Sequence, residues 1–227
     1  MSIFQLEEWW ATTVGANEEF HKDSICVGNV DNSNPPQDKI VVGSFEGILR
    51  IYSPQPRPFK TEDVIIEKDL QLPILQIDCA TKLVSSKITQ KYLDGADPDK
   101  TTAIAVLHSR KLTIALIVHH EAFSQFQEVY NFPIQRNAFN FLIGDFGPNK
   151  TAVVVVQSVD GALFVLHQET QLFQVQLSNF LIPGPITCFS HPQSTIIVAN
   201  SNLEVESYRY TALQAISRNN IDAQKEA

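Results

Sequence analysis

Residues 38–54, Asp-Lys-Ile-Val-Val-Gly-Ser-Phe-Glu-Gly-Ile-Leu-Arg-Ile-Tyr-Ser-Pro, read as two strands around a tight turn. Ile40, Val41 and Val42 are a short, unbroken run of β-branched residues, the pattern of a strand buried on both faces. Gly43 and Gly47 bracket the turn, where the backbone needs conformations open to glycine. Residues 48–52 return, and Pro54 ends the ladder because it has no N–H to donate. A strand buried on both faces needs a neighbour on each side. A chain built from such units therefore has to stack them.

The unit recurs. Strands are expected at 24–30, 39–44, 47–53 and 63–70. A second set is expected at 73–78, 102–107, 111–118 and 126–132. A third set covers 139–145, 151–157, 161–167 and 172–177, and a fourth begins at 184–189 and continues through 195–199 and 203–210. Asp160-Gly161 is a strong hairpin signal within the third set. With Gly47, Lys111, Gly161 and Leu203 as equivalents, the spacings are 64, 50 and 42 residues. The shorter values match the ~40–50 residues of a four-stranded propeller blade. The longest absorbs residues 85–100, a polar stretch that reads as a surface loop. The expected fold is all-β: a partial β-propeller of about four blades, whose fourth lacks a clear outer strand. A sandwich or barrel with similar strand counts is the competing architecture. An arc of four blades exposes apolar flanks, so the chain is expected to be the first part of a longer propeller or a truncated product. The propeller is expected over residues 1–210, with a helical or disordered tail at 211–227.

Composition narrows the function. The chain has 227 residues, a formal net charge of -8 and 14 phenylalanines. An acidic balance argues against binding nucleic acid through its phosphates. Cys26, Cys79 and Cys188 are far apart and form no CxxC pair, so they read as reduced core thiols and not as a zinc site or disulfide framework. The start has no basic leader, and no apolar run approaches the ~20 residues of a membrane span, so the chain reads as cytosolic and soluble.

Ser2 and Gln5 fit a capping box, and Ile3, Leu6 and Trp10 share a helical face, so a short N-terminal helix stopping at Gly15 is expected. Trp9 and Trp10 either plug the edge of the core or anchor a partner, since Trp is enriched at interface hot spots. Residues 31–38 hint at a calcium loop, but Pro35 stands where a ligand is wanted and no glutamate closes the loop. His119-His120-Glu121 lacks the helical spacing of a zinc site. His108-Ser109-Arg110 sits in a turn and has no third group for a relay. Gly144-Asp145-Phe146-Gly147 lacks the motifs that accompany a kinase metal triplet. No catalytic residue, metal or cofactor is implied.

Several segments carry a resemblance. They include Glu8-Trp9-Trp10, Asn29-Val30-Asp31-Asn32-Ser33, residues 37–45 with Gly47, Leu49-Arg50-Ile51 and Ser53-Pro54. Further on come residues 105–112, Gln157-Ser158 with Asp160-Gly161, Phe180-Leu181 with Pro183-Gly184-Pro185, and Val205-Glu206-Ser207-Tyr208 with Tyr210. Taken in order, these resemble the start of the family of the ninth Bardet–Biedl syndrome protein, also called parathyroid-hormone-responsive B1. The resemblance implies the N-terminal part of a seven-bladed propeller. It also implies a non-catalytic scaffold or adaptor in the BBSome, a coat-like complex that moves membrane proteins into and out of cilia and serves cilium assembly. The implied partners are the other BBSome subunits, of propeller, TPR and PH-domain type, with membrane association only through the complex. The implied location is the cytoplasm, the ciliary base, basal body and cilium. The alternative is a propeller hydrolase or ligand-binding module with a central-channel site. It would have to draw on Asp38, Asp145 and Asp160, each of which also reads as a turn residue.

Overall fold

The β-branched runs pair as antiparallel meanders. A computed structural model describes residues 9–146, 151–189 and 193–225. Blade 1 is β1 (Ile25–Gly28), β2 (Lys39–Gly43), β3 (Ile48–Tyr52) and β4 (Val64–Asp69), in that spatial order. Blade 2 is β5 (Gln76–Thr81), β6 (Thr102–His108), β7 (Lys111–His119) and β8 (Ser124–Pro133). Blade 3 is β9 (Ala138–Phe146), β10 (Thr151–Ser158), β11 (Ala162–His167) and β12 (Thr170–Gln176). Blade 4 has three strands, β13 (Leu181–Phe189), β14 (Thr195–Asn200) and β15 (Val205–Arg209). Among the described residues the fourth repeat thus has no outer strand, as its sequence suggests.

The first strand of each blade touches the first strand of the next: β1 with β5, β5 with β9, and β9 with β13. Those strands line the inner side of an arc, and the blades fan outward from them. The expected partial propeller is therefore the observed architecture. Each interface is apolar. Val41, Leu49 and Ile51 of blade 1 meet Ile104, Val106, Ile117 and Phe126 of blade 2. Leu112, Ile114 and Phe132 of blade 2 meet Phe141, Val154 and Phe164 of blade 3. Val153, Val155 and Val165 of blade 3 meet Ile196 and Val198 of blade 4. Alternation along each central strand sends successive residues to opposite interfaces, which is why Val153 to Val156 are all apolar.

Two details show the repeat more sharply than the residue pattern does. In blades 1 to 3 the ladder between the third and fourth strands shifts register after the fourth residue of the third strand, at Ile51, Ile114 and Val165. The carbonyl just before each third strand also accepts a bond from the chain leaving the fourth: Leu70 N–H to Gly47, Ile134 N–H to Arg110 and Leu177 N–H to Gly161. Arg110, not Lys111, is the structural equivalent of Gly47 and Gly161. Gly47 takes φ +91° with the Leu72 carbonyl oxygen 2.9 Å from where a Cβ would stand, so no larger residue fits that turn without strain.

Two expectations change and a third, the helical or disordered tail, resolves to a helix. Residues 85–100 are not wholly loop: α1 (Ser86–Tyr92) packs Ile88 and Tyr92 against the blade 2–3 core. Its apolar spacing of four residues is the helical signal, masked by the polar composition around it. Tyr130 holds its start, accepting from the Ser85 N–H at 3.1 Å. At the other end, the chain after β15 is α2 (Tyr210–Lys225), whose Tyr210 and Leu213 are buried among blade 3 and 4 residues. The first half of the expected N-terminal helix lies outside the described residues. From Trp9 to Val14 the chain is not helical.

That N-terminal segment crosses the flank of blade 1. Trp10 packs edge-on to Tyr52 and Phe59. Glu18 takes a two-pronged grip on Arg50 at 2.8 Å, and the Glu19 carbonyl accepts from Phe45 N–H. Arg50, which hydrogen-bonds Glu18, holds its carboxyl below the usual carboxylate range. Residues 10–19 thus form a strap from one rim of the blade to the other.

Candidate interaction surfaces

A meander of four strands puts its first and third connections at one end and its second connection and blade-to-blade link at the other. Each polar candidate can therefore be placed by the loop it occupies. Asp38 closes the first connection of blade 1, and Asp145 lies on β9 just before the first connection of blade 3, at the same face. Asp160 lies in the second connection of blade 3, at the opposite face. The three carboxylates do not converge. Asp160 is engaged in its own turn: Ser158 Oγ donates to it at 2.5 Å and Arg136 pairs with it. Burial pushes its carboxyl up, but Ser158 and Arg136 outweigh that and hold it below the usual range.

The other polar motifs are likewise tied into the frame. Asp31 is buried against Lys39 at 3.2 Å. Asn32 bridges to blade 2, accepting from Thr102 N–H at 2.7 Å and donating to the Thr102 carbonyl at 3.1 Å. Those contacts use the side chains that a calcium loop would need. His108 is buried with Nδ1 2.9 Å from the Pro73 carbonyl oxygen, and burial pushes its imidazole below the ordinary value, keeping it neutral. His119 meets Ser124 Oγ at 2.8 Å and the Asp31 carbonyl at 3.2 Å. His120 meets Gln125.

The two tryptophans part company. Trp10 is held in the frame: its indole N–H donates to Asp63 at 3.1 Å, and Asp63 is also gripped by Arg57 at 2.7 Å and by Lys60 N–H at 2.9 Å. Trp9 is 59% exposed. It stands over an apolar shelf of Val27, Ile40, Pro54 and Pro56, beside a hollow of about 400 Å³. The shelf lies at the face that carries the first and third connections of blade 1.

The larger hollow, about 780 Å³, is on the opposite face. It is built by the second connections of blades 2 and 3 and the links that follow each of those blades. Arg110, Arg136, Asn137, Val159, Asp160 and Phe180 line it. Phe180 is 63% exposed and Val159 is 43% exposed. Arg136 is paired with Asp160, whereas the Arg110 guanidinium makes only a neutral contact among the described residues, to Asn137 Oδ1 at 3.0 Å. The groove therefore carries a net positive charge beside the exposed Phe180 ring and Val159, on a chain whose formal charge is -8. Such a surface can hold an apolar side chain and an adjacent carboxylate of a partner. Sequence reasoning missed it because its residues come from four separate loops.

The model of the PTHB1 N-terminal family matches residues 1–227. The chain belongs to the PTHB1 N-terminal family. Protein PTHB1 of Homo sapiens is 38% identical over 224 residues, covering 94% of this chain and 24% of that protein. Protein PTHB1 of Mus musculus is 36% identical over 94% of this chain and 24% of its own length, and that of Xenopus laevis is 35% identical over 100% and 26%. The chain thus spans about a quarter of the length of the curated relatives it matches. Among solved structures, BBS1N in complex with ARL6DN, soaked with mercury, aligns with TM-score 0.59 over 86% of this chain and 56% of that chain at 12% identity. The lead-soaked crystal of the same complex gives TM-score 0.54 over 83% and 52% at 13% identity. At that identity the likeness is one of fold, and it agrees with the arc of blades. The PTHB1 family membership agrees with the resemblance carried by the N-terminal, turn and strand residues.

Proposed function

We propose that this chain is the propeller part of a non-catalytic scaffold or adaptor subunit of the BBSome, acting in ciliary membrane-protein trafficking and cilium assembly. Its location would be the cytoplasm, the ciliary base, basal body and cilium, at the membrane only through the complex. In this reading the remaining length of PTHB1 closes the ring to seven blades and adds further domains. The other subunits, of propeller, TPR and PH-domain type, dock on it.

The observation that carries the reading is the division of labour among side chains. Asp31, Asp63, Asp160, His108 and His119 are committed to clamps within and between blades. The groove beneath Phe180 and the shelf beneath Trp9 instead join exposed apolar side chains to neighbouring polar groups, with the Arg110 guanidinium in the groove. Family membership supports it, as does a fold-level neighbour that is itself a protein–protein complex, BBS1N with ARL6DN.

The test is affinity capture of tagged full-length protein from ciliated cells, with Arg110→Glu and Phe180→Asp introduced together. Both residues are solvent-facing, so the melting temperature should stay within about 2 °C of the parent. Recovery of at least one other subunit is expected to fall by about tenfold or more, the loss expected when interface anchors are removed. Unchanged recovery of every subunit would refute a docking role for the groove.

A further inference from the structure

The frame also brings two of the three cysteines together. Cys26 lies on β1 and Cys79 on β5, the inner strands of blades 1 and 2, which lie against each other. Alternation puts Cys26 and Gly28 on the face of β1 that looks toward blade 2. Both sulfurs pack on one cluster, formed by Val41, Ile51, Ile77 and Ile104. The Cys79 thiol donates to the Val27 carbonyl oxygen at 3.7 Å. It fills the gap that Gly28 leaves: a Cβ at position 28 would stand 2.8 Å from Cys79 Sγ. The glycine so admits the blade 2 thiol beside position 28, two residues from Cys26 and on the same face. Both are half-buried and free. Cys188 belongs to β13, in blade 4, far from the pair along the arc.

We infer that Cys26 and Cys79 are a dithiol couple that hydrogen peroxide, or another hydroperoxide, closes to a disulfide between the first two blades. The surroundings of the two thiols set the roles. Cys26 beside it lowers the Cys79 thiol from its ordinary value, against burial and the nearby Asp78 and Asp38 carboxylates. The Cys79 neighbour, with burial, raises Cys26. Cys79 is the attacking sulfur, because the thiolate is the nucleophile. Its electron pair forms an S–O bond as the peroxide O–O bond breaks, and hydroxide leaves with a proton as water. Cys26 sulfur then attacks the Cys79 sulfenic sulfur. The S–S bond forms, the S–O bond breaks, and the hydroxyl leaves with the Cys26 proton as a second water. Two thiols lose two electrons in all and one peroxide is reduced to two waters.

The couple is tested on the whole 227-residue chain, treated with hydrogen peroxide and mapped without reduction. The expected result is a fall in free thiols from three to one, leaving Cys188. A cross-linked peptide containing Cys26 and Cys79, about 2 Da lighter than the two thiol peptides, should appear and revert with dithiothreitol. Cys26→Ser should stop Cys79 at the sulfenic acid, trapped by dimedone, and Cys79→Ser should leave Cys26 reduced under the same exposure. The inference is overturned if the folded, peroxide-treated chain gives no Cys26–Cys79 peptide. It is equally overturned if Cys188 oxidises as fast as Cys79, or if Cys79 runs on to sulfinic acid with Cys26 still free. The mapping of the parent chain decides the matter even if a serine variant fails to fold.

Discussion

Trp9 and Trp10 are neighbours in the chain with opposite environments, and the difference is one hydrogen bond and two rings. Trp10 gives its indole N–H to Asp63 and makes T-shaped ring contacts with Tyr52 and Phe59. Trp9 has the shelf under it and solvent above it. Trp10→Ala should therefore destabilise the fold by about 2–3 kcal/mol, through lost ring packing and an exposed Asp63 clamp. Trp9→Ala should change stability by less than about 0.5 kcal/mol. Urea unfolding of both variants followed by circular dichroism checks the pair. Equal losses would mean that Trp9, too, is part of the core. Nothing in the local sequence separates the two residues. Asp63 lies 53 positions from Trp10, and only the strap brings the two together.

Among the elements, α2 has the largest consequence for the arc. It follows the third strand of the last blade, where a fourth strand would otherwise return. Tyr210 stacks on Phe146 at 5.4 Å with planes 7° apart and meets Phe173 at 5.5 Å, and Leu213 is buried beside them. The helix so covers apolar surface of blade 3 beside the short fourth sheet. Tyr210→Ala should cost about 3 kcal/mol, since an aromatic side chain leaves a cavity that the stacked Phe146 cannot fill. A guanidinium titration should show the midpoint falling with little change in slope. A drop below about 1 kcal/mol would mean that the helix merely rests on the blade. The sequence after Tyr210, rich in Ala, Gln and Asn, allows either a helix or a disordered tail. The choice rests on Tyr210 and Leu213 finding a surface, because a helix of this length is marginal without tertiary packing. The same logic hid α1, whose Ile88 and Tyr92 are ordinary residues until the blade 2–3 core stands behind them.

At the scale of the whole molecule the interior is well paired and the two ends of the arc are not. On blade 1, Ile25 and Val27 remain exposed beside the strap. On blade 4, Phe189 and Val205 face outward, Val205 being 77% exposed. Residues 1–227 in isolation should therefore self-associate, because contiguous exposed apolar strands invite pairing. Sedimentation at about 100 μM, in the concentration range where such surfaces associate, should show species above 25.4 kDa. Phe189→Lys with Val205→Lys should return the chain to monomer. A parent chain that is already monomeric at that concentration would show that the flanks are not adhesive.

The strands themselves were legible because their signal is local. β-branched runs such as Val153 to Val156, glycines at the turns at 47 and 161, and the order of the repeat are properties of a few adjacent residues, and alternation alone makes each strand two-faced. A two-faced strand needs a stack, so the residues by themselves determined that blades would be built in series, and the family resemblance lay in those same turns and strands. What the tertiary structure decided depends on contacts between distant segments. The radial arrangement brought β1 against β5 and set Cys26 and Cys79, 53 positions apart, on one cluster. It placed Asp160 on the face opposite Asp38 and Asp145. It also gathered Arg110, Arg136, Val159 and Phe180 from four loops into one groove. Pattern in a chain records which faces are apolar, but which loops end up side by side is set by how the sheets stack.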